Sequence, residues 1–587
     1  MQASRRSATP SGADSSTPLE GGSDTASGTP SATAPGAASG AALEPAAVLR
    51  RARQRRLTVA LVAALSLAAG MQAWTSLRTK SLTFDELTYI PAGYSYVVTG
   101  DYRLNPEHPP LTKLLAGVAI LPLRPDLDAT GPAWQGADQW AFGADFFNGS
   151  GVDVERLVSA ARLPTVFLLM LLVGAAYAFA ADLYGRWAGL LAATLVAFDP
   201  NLLAHGRLAT NDFALTFTMF LTVYGTFRFT RRPSAGNAAF VGIALGLALL
   251  TKFIALLLLG LVPLWLAFAA LRRQGALPVP DLVWLEAVSE GRAKRLTFAA
   301  GSAALMALIA LFVVTLGYGR PGDPRPYLNG LGVLYTNVHL DMQTYLGGAF
   351  HEGRLWYYFP AVFLLKTPTP LLGLLALRAG DQITRRDVER ETGAFLLLPA
   401  MCWVAVVAAI ALPFGLRYVL PVYPLLFVYA SGIVAPRPSW RPWTAVAAAA
   451  CAGLLVAGSL RAHPHYIPYF NLLAGGPSNG IEWLDDSNID WGQDLPLLRR
   501  YVEEHGVTDL TVTPMAWYDP ALYGVHGRVV GPNEMLRLLG DPDAPPGVYA
   551  VSAHLLTRGR YSQSSFDALS ELEPTAILGH SIYVYER

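Results

Sequence analysis

Only two of the 587 residues are cysteine, Cys402 and Cys451, and both fall inside apolar runs. They behave there as small hydrophobes and supply neither a disulfide framework nor the paired spacing of a zinc site, so redox chemistry does not reveal the compartment. A charge surplus is missing too: 44 Lys plus Arg stand against 43 Asp plus Glu, a balance of +1 that removes the basic excess expected of a nucleic-acid-binding chain. Charged residues make up only 15% of the chain against 52% hydrophobic, and the mean hydropathy is +0.34. That is too apolar for a soluble protein of this length and points to a multi-span membrane protein. Paired halves with helices interrupted at matching positions, the usual mark of a secondary transporter, are lacking as well.

What is present begins with residues 1–45, rich in Ser, Ala, Gly, Thr and Pro and almost without large apolar side chains. Such a composition cannot offset chain entropy, and a disordered cytoplasmic tail is expected. RRARQRR at 50–56 then leads into an apolar run from Leu57 to Trp74 with no small-residue cleavage site behind it, so the run is expected to remain as a first helix. Apolar runs of spanning length centre on 57–77, 158–181, 187–203, 211–228, 238–250, 252–271, 297–317, 359–378, 393–412, 415–434 and 441–460, about eleven in all. With RRARQRR in the cytoplasm, that count also puts RFTRRPS (228–234), GRAKR (291–295), LRAGDQITRRDVER (377–390) and APRPSWRP (435–442) inside, as the positive-inside rule requires. The expected organisation is a transmembrane region over 46–460, with a first outer loop at 78–156 and a long outer loop at 319–356. A small extracytoplasmic α/β domain is expected over 461–587, where DLTVTPMAW, GVYAVSA and SIYVYER read as strands between helical stretches.

The first outer loop concentrates ionisable groups: TFDELTYIPAGYSYVVTGDYRLNPEHPPLTK holds Asp85, Glu86, Glu107 and His108. Leu87, Ile90, Tyr94, Val97 and Val98 recur at helical spacing and predict an amphipathic helix lying on the membrane surface, with Thr83 and Glu86 in capping-box register. Glu86 could then serve only as a cap, and Asp85 only as a complement to the helix dipole. Two prolines after His108 and a second apolar segment too short to span, LLAGVAILPL, complete what reads as a floor for a substrate with one polar and one greasy end.

The order of DE, a nearby aromatic, GD and E-H-P-P-L resembles the phospholipid-carrier-dependent glycosyltransferases, the group that includes the protein O-mannosyltransferases and the lipid A aminoarabinose transferases, with the GT-C fold. The resemblance extends to ARLP at 161–164, a K-T-P element at 366–368 and RYVLPVYP at 417–424, and covers about residues 57–460. It implies that Asp85 is the catalytic base, with Glu86 beside it, and that the chain moves a sugar from a polyprenyl-phosphate carrier to a hydroxyl acceptor. The chain departs from the eukaryotic O-mannosyltransferases in lacking their sugar-binding trefoil repeats, and WLDD at 483–486 is a poor match to the acceptor motif of oligosaccharyl transferases.

Transfer from such a donor needs no general acid, because phosphate is already a good leaving group; it needs cations for the developing charge and a base for the acceptor hydroxyl. Arg162, Arg207, Lys252, Lys366 and Arg417 fall at or near the outer ends of the expected spans, where charged groups are functional candidates and also can snorkel to the headgroups. Arg162 matches the family's arginine at the head of the second span and is equally placed to orient the DE carboxylates. Glu107 and His108, with His339 or Asp341 from the long outer loop, are candidates to hold a divalent cation or to bind substrate. The long loop, with Gly347 and Gly348, reads either as a lid or as a packed connection. DDSNIDWGQD at 485–494 alternates acids as an EF-hand does, but its glycine comes one place late and its twelfth position is Leu497, which excludes that loop and leaves a turn rich in capping groups or a sugar-facing acidic and aromatic edge with Trp483 and Trp491. The expected location is the cell membrane, with the N-terminus cytoplasmic. A transporter or flippase of lipid-linked sugars is the competing class.

Overall fold

The computed structural model describes residues 45–271, 291–337, 343–384, 388–435, 442–562 and 572–587. Most of the expected tail, together with His339 and Asp341, lies outside them. Helices of eight or more residues are α1 (Pro45–Leu77), α2 (Glu86–Thr99), α3 (Leu111–Ile120), α4 (Gln139–Gly149), α5 (Val154–Tyr184), α6 (Arg186–Ala197), α7 (Asn211–Arg231), α8 (Ala235–Leu249), α9 (Leu257–Leu271) and α10 (Arg292–Gly317). They continue with α11 (Arg325–Asn337), a hairpin of β1 (Thr344–Leu346) and β2 (Ala349–His351), α12 (Tyr358–Lys366), α13 (Thr369–Thr384), α14 (Val388–Ile410), α15 (Tyr423–Ser431) and α16 (Pro442–Ala462).

Six helices among the described residues are long and apolar enough to cross a membrane, and α12 with α13, bent by 109°, makes a seventh if counted as one span. Against about eleven expected runs the difference has physical causes. Leu111–Leu123, Arg186–Ala197, Ala235–Leu249 and Leu420–Val434 are apolar but short. α7 is long, but Thr216, Thr218, Thr222, Thr226 and Thr230 dilute its hydropathy; all are buried, and the first four donate to the carbonyl one turn back at 2.8 Å, so the polar groups are satisfied within the helix.

α2 also differs from the amphipathic surface helix read from its spacing. Every residue from Glu86 to Tyr96 is buried, including the polar ones. The cause is the pair Gly93 and Gly117: a Cβ on Gly93 would stand 1.9 Å from the Lys113 carbonyl oxygen, and one on Gly117 would stand 2.3 Å from that of Gly93. Backbone meets backbone where α2 crosses α3, which closes the face that the spacing leaves open to lipid.

Beyond α16 the chain forms α17 (Leu495–His505), β3 (Leu510–Thr513), β4 (Arg528–Val529), α18 (Pro532–Gly540), β5 (Val548–Ser552), α19 (Ala553–Ser562), β6 (Ala576–Leu578) and β7 (Ile582–Glu586). The three strand-like runs of the sequence supply β3, β5 and β7 of a five-stranded sheet ordered β4-β3-β5-β7-β6, parallel at β4-β3-β5 and antiparallel at β5-β7-β6. Its core residues Val512, Ala550 and Val584 share one apolar cluster with Leu82, Leu87, Ile90 and Leu157. The sheet is therefore packed directly against the DE segment, and residues 56–587 form a single compact unit.

Candidate active site

Residues 78–85 connect α1 to α2 and are held from two sides. From the tail, Ser81 N donates to Gln493 O at 2.9 Å, Phe84 N to Trp491 O at 3.0 Å, and the Tyr518 hydroxyl to Leu82 O at 2.9 Å. Lys80 is bound to Asp494, and burial lowers its pKa to about 8 even though Asp494 pulls the other way. From the bundle, Arg162 donates to the carbonyls of Leu77, Lys80 and Ser81 and closes a two-pronged ion pair on Glu86 at 2.8 and 2.6 Å. Glu86 also accepts from Thr83 N at 3.0 Å, the Thr83 hydroxyl at 2.8 Å and Ala209 N at 2.8 Å. These bonds depress the Glu86 pKa against a burial that raises it. Glu86 is fully buried and Arg162 with it; neither lines a cavity in the described residues next to Asp85.

Asp85 is the N-cap of α2 yet makes no side-chain capping bond. It receives Arg417 Nη1 at 2.5 Å instead. The same guanidinium stands 4.0 Å from Asp212 Oδ2, and Asp212 Oδ1 takes Lys252 Nζ at 2.5 Å. The result is a chain of alternating charge, Asp85–Arg417–Asp212–Lys252. Aromatic faces back its cations: Trp491 lies 4.5 Å from the Arg417 guanidinium and Tyr418 lies 4.2 Å from Lys252 Nζ. Burial raises the Asp85 carboxyl above its ordinary value; Arg417 opposes that rise and Asp212 adds to it.

Asp85, Lys252 and Arg417 open on a cavity of 710 Å³. Its wall includes Tyr89, Glu107 and His108 from the first loop, Asp486 and Trp491 from the acidic stretch, and Trp517 and His554 from the tail. Glu107 Oε1 accepts from Asn105 Nδ2 at 3.1 Å and Gln139 Nε2 at 2.7 Å, while His108 packs edge-on to Tyr89 at 5.4 Å. Among the described residues no group of three His, Cys, Asp or Glu is arranged to hold a metal ion.

The structure thus brings Asp85, Glu107, His108, Lys252 and Arg417 of the sequence candidates together around one cavity. Lys366 is placed elsewhere: it is buried and donates to Ile467 O at 2.7 Å and Asn488 O at 2.6 Å, tying the tail to the bundle. Arg207 is buried away from the cavity, with its Nη1 3.5 Å from Ser76 O and its Nε and Nη2 without a hydrogen-bond partner among the described residues. Asp212 was not singled out by sequence reasoning. The signal for Asp212 was Lys252, a buried cation that had to find a counter-charge. Trp491 was read with Trp483 as part of a sugar-facing edge, but its place against Arg417 depends on the tail folding back over the first loop.

Residues 61–316 match the family described as dolichyl-phosphate-mannose-protein mannosyltransferase. No curated protein sequence matches the chain. Among solved structures it is similar to ArnT from Cupriavidus metallidurans in the apo state, at 15% identity and a TM-score of 0.45 over 90% of this chain and 97% of that one. ArnT from the same organism bound to undecaprenyl phosphate gives 15% identity and a TM-score of 0.42 over the same shares. The S. cerevisiae protein O-mannosyltransferase Pmt1–Pmt2 complex bound to the sugar donor gives 19% identity and a TM-score of 0.32 over 47% of this chain and 34% of that one. The stretch that matches this family, residues 61–316, contains Asp85, Asp212 and Lys252.

Proposed function

We propose that the protein transfers a sugar from a polyprenyl-phosphate carrier to an acceptor hydroxyl at the extracytoplasmic face of the cell membrane. The observation that carries this reading is the alternating chain Asp85–Arg417–Asp212–Lys252 opening on one cavity. The lipid-phosphate donor class is supported by the family that residues 61–316 match.

In the resting site two carboxylates balance two cations. An arriving donor phosphate competes with Asp85 for the Arg417 guanidinium, whose planar fork suits phosphate oxygens. Asp85 is then left beside the acceptor, with a carboxyl that burial has made more basic than usual. The acceptor oxygen attacks the anomeric carbon as its proton passes to Asp85, the anomeric carbon–oxygen bond to phosphate breaks, and polyprenyl phosphate leaves with the bonding pair. Arg417 and Lys252 meet the second negative charge on that phosphate. A single displacement of this kind inverts the anomeric centre. Glu86 and Arg162 act as positioning residues: they fix residues 77–86 so that Asp85 points at the cavity. Glu107 and His108, which line the same cavity, contact substrate.

The test is to reconstitute the protein in proteoliposomes with donors labelled separately in sugar and lipid. The proposal predicts cleavage, with free polyprenyl phosphate appearing as sugar moves to acceptor. Transbilayer movement of intact donor without cleavage makes the protein a flippase and overturns it.

A further inference from the structure

The same cavity carries a group of rings that the proton and phosphate chemistry leaves unused. Phe84, Trp140 and Trp517 all line it, and they come from three separate stretches: the residue before Asp85, the first turn of α4, and the loop after β3. Ring centroids stand 4.7 Å apart for Phe84 and Trp140, 5.6 Å for Trp140 and Trp517, and 6.2 Å for Phe84 and Trp517. The backbone beneath two of the rings is held. Phe84 N is bonded to Trp491 O, and Asp138 caps α4 by accepting from the backbone N–H of Trp140. Yet it is not covered, since Trp517 remains 65% exposed. An aromatic group left open to water at the rim of a reaction cavity is a binding surface before it is a packing one.

The occupant is set by what surrounds the rings. Gln139, the neighbour of Trp140, donates to Glu107 Oε1, and Asn105 joins the same network, with its Nδ2 2.5 Å from Gln139 Oε1. Planar carboxylate and amide groups bind vicinal hydroxyls, while an aromatic face, negative at its centre, receives the slightly positive C–H bonds on one face of a pyranose. A lipid chain has no use for the carboxylate and amides. A peptide would be expected to meet unpaired backbone donors and acceptors rather than stacked rings.

We propose that Phe84, Trp140 and Trp517 form a stacking platform for a pyranose ring of the acceptor, so that the acceptor of this transferase is a saccharide. The proposal rests on the transferase reading above. Phe84 directly precedes Asp85, so a ring stacked there brings a hydroxyl to the base. The donor's phosphate, in contrast, goes to Arg417 and Lys252 in the helical bundle, whereas Trp517 belongs to the tail.

The test uses the full-length protein in detergent. A panel of neutral linear oligosaccharides is titrated calorimetrically into the parent, Trp517→Phe and Trp517→Ala proteins, and acceptor and donor KM values are measured for each. Expected are binding of at least one oligosaccharide by the parent, a loss of tenfold or more in Trp517→Ala, and partial rescue in Trp517→Phe, with the rise in KM larger for acceptor than for donor. Absence of binding across the panel, or unchanged affinity in Trp517→Ala, overturns the proposal. A rise confined to donor KM also overturns it, by assigning the platform to the donor's sugar. Donor cleavage by the parent is scored separately: its absence contradicts the transferase reading, while saccharide binding still reports on the platform.

Discussion

Asp85 keeps one ionic partner, Arg417, while its neighbour Glu86 spends both oxygens on Arg162, Thr83 and Ala209. This difference governs how each responds to substitution. Asp85 must be ionised to take a proton, so the rate falls as pH drops through its raised pKa. Because Arg417 pulls that pKa down, Arg417→Gln moves the acid limb of kcat/KM to higher pH as well as slowing the reaction. A pH–rate profile checks this, and a limb displaced to lower pH contradicts it. Glu86→Gln instead leaves Arg162 buried with a weakened partner. It is expected to cost about 3–5 kcal/mol of stability, visible as a lowered melting temperature in detergent. The DE pair itself was legible, because adjacent acids after an apolar run stand out. Their division of labour was legible only in part: Arg162 was read as placed to orient both carboxylates, but that it holds Glu86 and leaves Asp85 to Arg417 depends on contacts across 76 and 332 residues.

At the scale of elements, the acidic stretch 485–494 is the tail's wedge into the site. Asn488 Oδ1 accepts from Leu416 N at 3.0 Å, Ser487 Oγ donates to Phe414 O at 2.7 Å, and Trp491 backs Arg417. Gly492 makes its turn possible: φ is +85°, and a Cβ there would stand 2.4 Å from the Met515 carbonyl oxygen. Gly492→Ala should therefore destabilise by about 1–3 kcal/mol and reduce transfer, whereas Gly531→Ala, with φ of −71° and open space around it, should match the parent in melting and turnover. Alternating apolar residues made β3, β5 and β7 readable, and the prolines of RYVLPVYP fall where the backbone forms the 3₁₀ turns Leu416–Tyr418 and Leu420–Val422. The 3.6-residue pattern of α2 was read correctly as a helix. Its burial was hidden, since contact through Gly93 and Gly117 leaves no hydrophobic signature.

Across the whole molecule, apolar composition identified a membrane protein, and the eleven expected runs differ from the six or seven described helices of full spanning length mainly at the short apolar helices, whose length the sequence does not show. The proposed orientation has its own test. In a background with Cys402 and Cys451 replaced, Leu472→Cys, at a position 82% exposed beyond α16, is expected to react with a membrane-impermeant maleimide in sealed right-side-out vesicles. Arg232→Cys, on the exposed turn between α7 and α8, is expected to react only after permeabilisation. The opposite pattern inverts the topology and places the cavity in the cytoplasm.

The central claim is that Asp85 removes the acceptor's proton at a site whose cations hold the donor phosphate. Its most direct measurement is single-turnover sugar transfer by Asp85→Asn, with donor affinity measured on the same preparation. The account predicts a rate lowered by about 10²–10⁴-fold with donor bound at least as tightly as by the parent, since Arg417 loses its competing carboxylate. Transfer at the parent rate by a folded Asp85→Asn protein contradicts it.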